Sequence, residues 1–209
     1  MSYQQLFIIV LLIPILSYAN DDFLSPVISS HEKIAGLLKN KNQDTSSISI
    51  CYNYSCKTNS IIHINTKNIA SLNTIFKQLN TSGHGERLAI AQAIALLENI
   101  AATQSPVYND KAENYNDNYL PGSMDCIDST VNTTHYLELL NQLGLIVRHE
   151  LQQPVYRSPN LMGQHWAAQI KDKNSRQNFA VDSWQTDNGQ RPIIQDIEKW
   201  KVREPVESL

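Results

Sequence analysis

The chain has 209 residues, of which 42% are hydrophobic and 18% are charged, and this balance is typical of one compact globular domain. Its formal net charge is −3, and no run of lysine and arginine exceeds two residues. Because nucleic acids and anionic lipid surfaces are recognised by basic patches, the sequence argues against nucleic acid as a partner.

The first 19 residues predict a secretory signal peptide. Residues 6–16 form the uninterrupted apolar run LFIIVLLIPIL, and the SYA that ends at Ala19 offers the small residues that signal peptidase recognises. Cleavage after Ala19 would leave the protein periplasmic or extracellular. The alternative is a retained membrane anchor, in which the uncleaved segment is the contact with the membrane. An apolar run of eleven residues is short for that role, since a spanning helix needs about 20 apolar residues.

Residues 20–103 are expected to form the N-terminal part of the domain, with a β-hairpin between helices. The hairpin is predicted by alternating apolar and polar residues on either side of a polar break at KTNS. The last helix of this part is rich in alanine and leucine, so we expect it to be largely buried. The predicted elements are a helix over 27–38, strands over 48–54 and 61–64, and helices over 68–79 and 86–102.

Residues 104–209 are expected to form the part of the domain that carries any chemistry. Residues 104–123 lack apolar periodicity and are rich in Asn, Asp, Tyr, Pro and Gly, which predicts a long irregular loop. The predicted elements beyond it are a helix from Cys126 to about Leu143 with Gly144 as its C-cap, strands over 145–151, 165–172 and 178–184, and a terminal helix over 193–200. The sequence therefore predicts an α+β fold in which the Cys126 helix packs on an antiparallel sheet.

Cys126, His165 and Asp182 are the residues that these elements can bring together for covalent catalysis. A catalytic thiol needs a helix N-terminus to favour its charge, a histidine to take its proton and a third group to orient that histidine. Cys126 lies at a predicted helix start, and His165 and Asp182 lie on consecutive strands. If the strands are antiparallel neighbours, their offsets from the turn place the two side chains near each other, with the carboxylate holding imidazole Nδ1–H.

This order of cysteine, histidine and aspartate resembles the transglutaminase-like cysteine peptidase superfamily, which is papain-like in the broad sense. The strings that carry the resemblance are GSMDCIDSTVNTTHYL, GQHWAAQI and FAVDSWQTDNG, within residues 120–200, and together they look like an exported bacterial family of this superfamily. The resemblance implies a transglutaminase-like or papain-like core, with Cys126 as nucleophile, His165 as general base and acid, and Asp182 as the orienting carboxylate. It also implies cleavage or transfer of amide and peptide bonds, in some members those of cell-wall peptides.

Further residues are candidates for the oxyanion hole and for substrate contact. The backbone N–H of Cys126 is the first candidate for an oxyanion-hole donor, and Gln104, Asn118 and Tyr119 are candidates for the second. Trp184 lies on the same strand face as the orienting carboxylate and can shield it from water. Tyr119 and Trp184 are therefore the candidates for substrate contact.

Two aspartates beside the thiol favour a different interpretation. Asp125 and Asp128 flank Cys126, and nearby carboxylates disfavour a thiolate, although Asp128 can equally serve the helix N-terminus. The sequence thus leaves two functions open. One is an exported cysteine-dependent hydrolase or acyl transferase that acts on peptide, protein or cell-wall peptide. The other is a non-catalytic periplasmic or cell-surface binding protein that keeps the scaffold and a protonated thiol.

The remaining cysteines, Cys51 and Cys56, predict a local disulfide, because the export signal indicates an oxidising compartment. A turn must lie between them, since residues five apart on one straight strand are too distant for a bridge. The alternative, a bridge from either of them to Cys126, would remove the nucleophile. No metal site or cofactor is expected, because the histidines do not show the usual zinc spacings; they include His63, His84, His135 and His149.

Overall fold

A computed structural model of the protein describes residues 25–39, 44–114, 120–159 and 163–206. The predicted signal peptide lies outside these residues, as do Asn118 and Tyr119. Within the described ranges, no helix is both long enough and apolar enough to cross a bilayer.

The described residues form helices and two antiparallel sheets, which confirms the predicted α+β fold class. The helices are α1 (Ser25–Leu37), α2 (Thr66–Leu79), α3 (Gly83–Ala102), α4 (Cys126–Gln142) and α5 (Ile197–Lys201). The strands are β1 (Ser47–Tyr52), β2 (Thr58–His63), β3 (His149–Arg157), β4 (His165–Asp172), β5 (Asn178–Asp182) and β6 (Ile193–Asp196).

Helix α4 lies between the two sheets and is the element around which the core is built. Strands β1 and β2 pair as a hairpin, and the other strands form a sheet in the order β3-β4-β5-β6. One side of α4 packs on β1, and another packs on β4. Leu139, Leu140 and Ile170 are fully buried in the shared core. Burial of each such side chain contributes about 1.5–3 kcal/mol to folding, so α4 is fixed firmly against the larger sheet.

Two predicted strand and helix boundaries near the site are wrong. The strand predicted over 145–151 instead runs from His149 to Arg157, through Pro154. The pairing with β4 shifts between Gln152 and Val155, and Pro154 is tolerated there because β3 is an edge strand with a bulge. The terminal helix predicted over 193–200 is in fact β6 followed by α5, because residues 193–196 pair with β5.

The starts and ends of the other helices follow their capping residues. Helix α3 begins at Gly83 rather than at residue 86, since Ser82 caps it by accepting the N–H of Gly85. Helix α4 ends as predicted before Gly144, whose φ of +71° is the left-handed conformation that glycine adopts after a helix. In its described part, the predicted irregular loop contains a 3-10 turn, Pro106–Asn109.

Candidate active site

His165 and Asp182 meet on one face of the larger sheet. The β4–β5 register pairs Ala168 with Val181, so Asp182 falls opposite Ala167 and is the diagonal neighbour of His165. His165 Nε2 and Asp182 Oδ2 are 2.7 Å apart. The prediction that the carboxylate holds Nδ1 is therefore wrong: it holds Nε2, because the imidazole extends diagonally toward the end of β5.

The carboxylate of Asp182 is buried, and one of its oxygens, Oδ2, accepts three hydrogen bonds. Besides the imidazole, its Oδ2 accepts the side-chain N–H of Gln185 at 2.5 Å and the indole N–H of Trp200 at 2.8 Å. Burial by itself would raise the pKa of Asp182, but the hydrogen bond and charge of His165 and the other two donors outweigh it, so the pKa lies below its ordinary value. Asp182 is therefore ionised at neutral pH and can hold and orient the imidazole.

The imidazole of His165 is fixed by two tryptophans, and its second nitrogen remains available. The ring centroid of His165 lies 4.7 Å from that of Trp184 and 5.6 Å from that of Trp200. Its Nδ1 is buried, and no hydrogen-bond partner for it occurs among the described residues. Since Nε2 is engaged by Asp182, the available tautomer leaves Nδ1 free to exchange a proton.

Cys126 is the first residue of α4, and its thiol lies at the start of β4. The backbone N–H of Trp166, the residue after His165, donates to its sulfur. Burial first, and then the charges of Asp125 and Asp182, raise the pKa of the Cys126 thiol to about 12. A helix N-terminus favours a thiolate by only about 0.3–1 kcal/mol, less than one pKa unit, so burial and the carboxylates prevail. The resting thiol is therefore protonated.

The two aspartates that flank Cys126 build the N-terminus of α4. Asp125 is the N-cap, and its Oδ1 accepts the N–H groups of Ile127 and Asp128. Asp128 Oδ2 in return accepts the N–H of Asp125 at 3.1 Å, which completes a capping box. The cap does not engage the N–H of Cys126, because Oδ1 of Asp125 bonds the next two residues instead; that N–H bonds to the sulfur of its own residue. Burial, and next the charge of Asp125, raise the pKa of Asp128 above its ordinary value.

The other oxygens of the same carboxylates hold the turn between β1 and β2. Ser55 donates its N–H to Asp125 Oδ2 at 2.9 Å, and Cys56 donates its N–H to Asp128 Oδ1 at 2.5 Å. This turn, residues 53–56, has φ values of 67°, 62°, 60° and 56°, all in the left-handed region that non-glycine residues rarely adopt. A disulfide between Cys51 and Cys56 closes the turn. Cys126 is free, so the structure has the local bridge and not the alternative that consumes the nucleophile.

A cavity of about 300 Å³ adjoins His165 on the side of Trp184. Charged side chains of both signs line it, among them Arg157, Arg203 and Glu113. Arg157 stacks on the ring of Trp200 at 4.3 Å, so this cation is fixed beside the imidazole and its carboxylate. The cavity thus offers polar and charged groups to a molecule that reaches His165.

Comparison of the chain with protein-family models, with curated proteins and with solved structures found no match. The resemblance to transglutaminase-like cysteine peptidases therefore stays a prediction carried by the residues.

The structure sorts the other candidate residues. Gln104 is not an oxyanion-hole donor, because its side-chain amide is bonded to the backbone of His63 at the far end of the hairpin. Asn118 and Tyr119 lie outside the described residues, so their candidacy stays a prediction. Trp184 is 6% exposed and packs on His165, where it can shield the imidazole and line the cavity.

Sequence reasoning missed two residues that bind the carboxylate of Asp182. Gln185 follows it by three residues, and a polar residue so close to a candidate catalytic carboxylate was a usable signal. Trp200 is 18 residues away on α5, and no pattern in the sequence connects it with Asp182. It reaches the site only because β6 pairs with β5 and directs α5 back over the sheet.

Proposed function

We propose that the protein is an exported cysteine-dependent hydrolase or acyl transferase that acts on amide or peptide bonds. Cys126 would be the nucleophile, His165 the general base and acid, and Asp182 the orienting carboxylate. The observation that carries the proposal is the His165–Asp182 pair: Nε2 is held at 2.7 Å by an ionised carboxylate, and the buried Nδ1 faces no other hydrogen-bond partner in the described ranges.

The raised pKa of Cys126 indicates how the reaction would start. Because the thiol is protonated at rest, the proton passes to Nδ1 of His165 as the sulfur attacks the carbonyl carbon. The N–H of Cys126, which the helix cap does not engage, can donate to the oxyanion of the tetrahedral intermediate. His165 then gives the proton to the departing amine, and Cys126 remains as an acyl thioester. Water or a second amine, deprotonated by the same imidazole, attacks the thioester and regenerates the thiol.

The predicted export signal and the cavity beside His165 support a proposal for the substrate class. The predicted signal peptide would place the site where secreted proteins and cell-wall peptides occur. A cavity beside His165 that is lined by arginine and glutamate suits a peptide that carries charged groups. We therefore propose a peptide, protein or cell-wall peptide as the substrate.

The experiment that tests the proposal measures alkylation of Cys126 by iodoacetamide between pH 6 and pH 9. We compare the wild-type protein with His165→Ala, and use Cys126→Ala to identify the labelled residue by mass. Because imidazole assistance is needed to activate a thiol of raised pKa, we expect wild-type alkylation at pH 7 to be at least about tenfold faster than in His165→Ala. Equal rates in the two proteins would defeat the proposal.

One observation favours a second function, that of a non-catalytic binding protein with the same scaffold. Burial and the charges of Asp125 and Asp182 hold the thiol of Cys126 in its neutral form, and a neutral thiol is expected of a cysteine with no chemical role. That protein would show slow alkylation that does not depend on His165. The same experiment therefore distinguishes the two functions.

A further inference from the structure

The disulfide between Cys51 and Cys56 lies against a buried carboxylate. The two sulfur atoms and a carboxylate oxygen of Asp128 lie within 4.8 Å of one another, and Asp128 is fully buried. Burial raises the pKa of Asp128, so this side chain can hold a proton at neutral pH. A proton-holding carboxyl group beside a disulfide is positioned to serve thiol–disulfide exchange, in which each departing sulfur must be protonated.

A cavity gives access to this disulfide. Its volume is about 290 Å³, and both cysteines line it together with Asn59, Val131 and His135. Asn59 is exposed, so the cavity reaches the surface at that residue. Cys56 is 9% exposed and Cys51 1%, which makes the sulfur of Cys56 the more accessible target.

We propose that the Cys51–Cys56 disulfide is a redox-active site, that a dithiol entering this cavity reduces it, and that its reduction releases the N-terminus of α4. The reduction of the disulfide by a dithiol stands independently of the catalytic proposal. The release of α4 would regulate Cys126, and this step rests on the proposed function.

The exchange balances with the groups present and one dithiol. A thiolate of the dithiol attacks Cys56 Sγ, the Cys51–Cys56 bond breaks, and its electron pair leaves on Cys51 Sγ, which takes a proton from the carboxyl group of Asp128. The second thiol of the reductant gives its proton to the Asp128 carboxylate. Its sulfur then attacks the reductant's other sulfur, which is bonded to Cys56 in a mixed disulfide. The Cys56 thiolate then leaves and is protonated by water. The protein gains two electrons and two protons, and the dithiol becomes a disulfide.

Reduction is coupled to Cys126 through the turn at residues 53–56. The left-handed conformation is unfavourable for non-glycine residues, so the covalent closure helps to keep four of them in it. Once the bridge is broken, the turn can relax and withdraw the N–H groups of Ser55 and Cys56 from Asp125 and Asp128. The carboxylate of Asp125 then acts on the thiol without its donor from Ser55, and Cys126 becomes less reactive.

The redox part is tested with dithiothreitol on the folded full-length protein that carries Cys126→Ala, so that only the disulfide yields thiols. Thiols are counted by mass after trapping. We expect reduction under native conditions, at least tenfold slower in Asp128→Asn. Asp44→Asn is the matched control, because its carboxylate bonds only the exposed start of β1, and it should reduce at the normal rate.

A second variant keeps the test valid if Asp128→Asn fails to fold. Asn59→Trp places a large side chain at the exposed part of the cavity, on a strand position that favours aromatic residues, and should also slow reduction. Reduction that occurs only when the whole protein unfolds, or that proceeds equally fast in both variants, would overturn the redox site.

The coupling part is measured on the protein with Cys126 present. After reduction, we expect amide exchange of residues 125–130 to rise and His165-dependent alkylation of Cys126 to slow at least tenfold, with recovery on reoxidation. Unchanged exchange and alkylation would overturn the coupling. A Cys126 that lacks His165-dependent alkylation in the oxidised protein would instead contradict the proposed function and leave the redox measurement standing.

Discussion

The carboxylate of Asp125 has two opposing effects on Cys126, the residue that follows it. It caps α4 through the N–H groups of Ile127 and Asp128, which fixes the position of the thiol. Its charge is also the largest contribution, after burial, to the raised pKa of Cys126. The residue that positions the thiol of Cys126 therefore also keeps it protonated.

Replacing Asp125 with asparagine should separate these two effects. Asparagine caps helices about as well as aspartate, so α4 should keep its N-terminus through Oδ1, while the loss of charge lowers the pKa of Cys126. The substitution also gives up the bond from the N–H of Ser55, because Nδ2 cannot accept it. At pH 8 the thiolate is a small fraction of the thiol, and a fall of about one pKa unit increases it roughly tenfold. We expect alkylation of Cys126 by iodoacetamide at pH 8 to accelerate by that order. Asp125→Ala is the control, because it removes both charge and cap and should destabilise the protein by about 1 kcal/mol. An unchanged alkylation profile in Asp125→Asn would show that the charge does not act on the thiol.

At the scale of elements, the short helix α5 completes the site that β4 and β5 begin. Asp196 caps α5 by accepting the N–H groups of Glu198 and Lys199. The fully buried Trp200 then donates its indole N–H to Asp182. A helix of five residues thus holds the orientation of the Asp182 carboxylate at the end of β5.

Trp200→Phe should weaken the site without removing a buried ring. It deletes the hydrogen bond to the charged carboxylate of Asp182 and leaves a small cavity, so we expect the free energy of unfolding to fall by about 2–4 kcal/mol. Alkylation of Cys126 at pH 7 should slow severalfold, because Asp182 and the imidazole of His165 are less firmly held. Urea unfolding and iodoacetamide kinetics measure the two effects.

Trp166→Phe is the matched control for this variant. Trp166 is also buried, but its ring packs on Tyr156 at 5.1 Å and on His31 at 4.2 Å rather than on His165 and Asp182. It should lose stability without slowing alkylation through His165. If both variants slow alkylation equally, the effect of Trp200 is one of general packing and not of its hydrogen bond.

The same elements show how far local sequence patterns reach. The approach of His165 to Asp182 could be predicted, because two strands joined by a short turn fix which residues lie near each other. The division of residues 193–200 into a strand and a helix could not, since a short apolar run fits either structure and pairing with β5 decides between them. Asp196, a cap residue in the middle of that run, was the available signal.

At the scale of the molecule, what the sequence does not predict depends on contacts between distant segments. The left-handed turn at residues 53–56 is unfavourable for its own residues and is held by aspartates about 70 positions away. The raised pKa of Cys126 likewise depends on the depth at which α4 is buried. Local patterns therefore indicate which residues approach each other, whereas the protonation state of Cys126 depends on contacts that only the complete fold provides.

Glu98 is a further buried carboxyl group that joins distant segments, here α3 and the chain that follows Asp182. Its Oε2 accepts the N–H of Gly189 at 2.8 Å, and the side chain of Ser183 also bonds to it. Burial, against these hydrogen bonds, raises the pKa of Glu98 to about 8, and the charge of Asp110 adds to the rise. The segment that follows Asp182 is thus fastened by a group that is protonated at neutral pH.

This shifted group should make the stability of the whole protein depend on pH. Between the unfolded pKa of about 4.3 and the folded value of about 8, the folded state binds the extra proton, so stability falls as pH rises through this range. We expect the free energy of unfolding to decrease by a few kcal/mol between pH 5 and pH 8, which is the size of change that the linkage relation gives for such a shift. Urea titration with the disulfide intact measures it. Glu98→Gln should keep the acceptor for Gly189 and decrease less, so that it is more stable than the wild type at pH 8. Asp128, whose pKa is also raised, leaves a remaining slope in the variant.

Glu32→Gln is the control, because Glu32 is exposed, and it should reproduce the wild-type slope. A stability curve of Glu98→Gln that runs parallel to that of the wild type would mean that Glu98 is ionised in the folded protein at neutral pH.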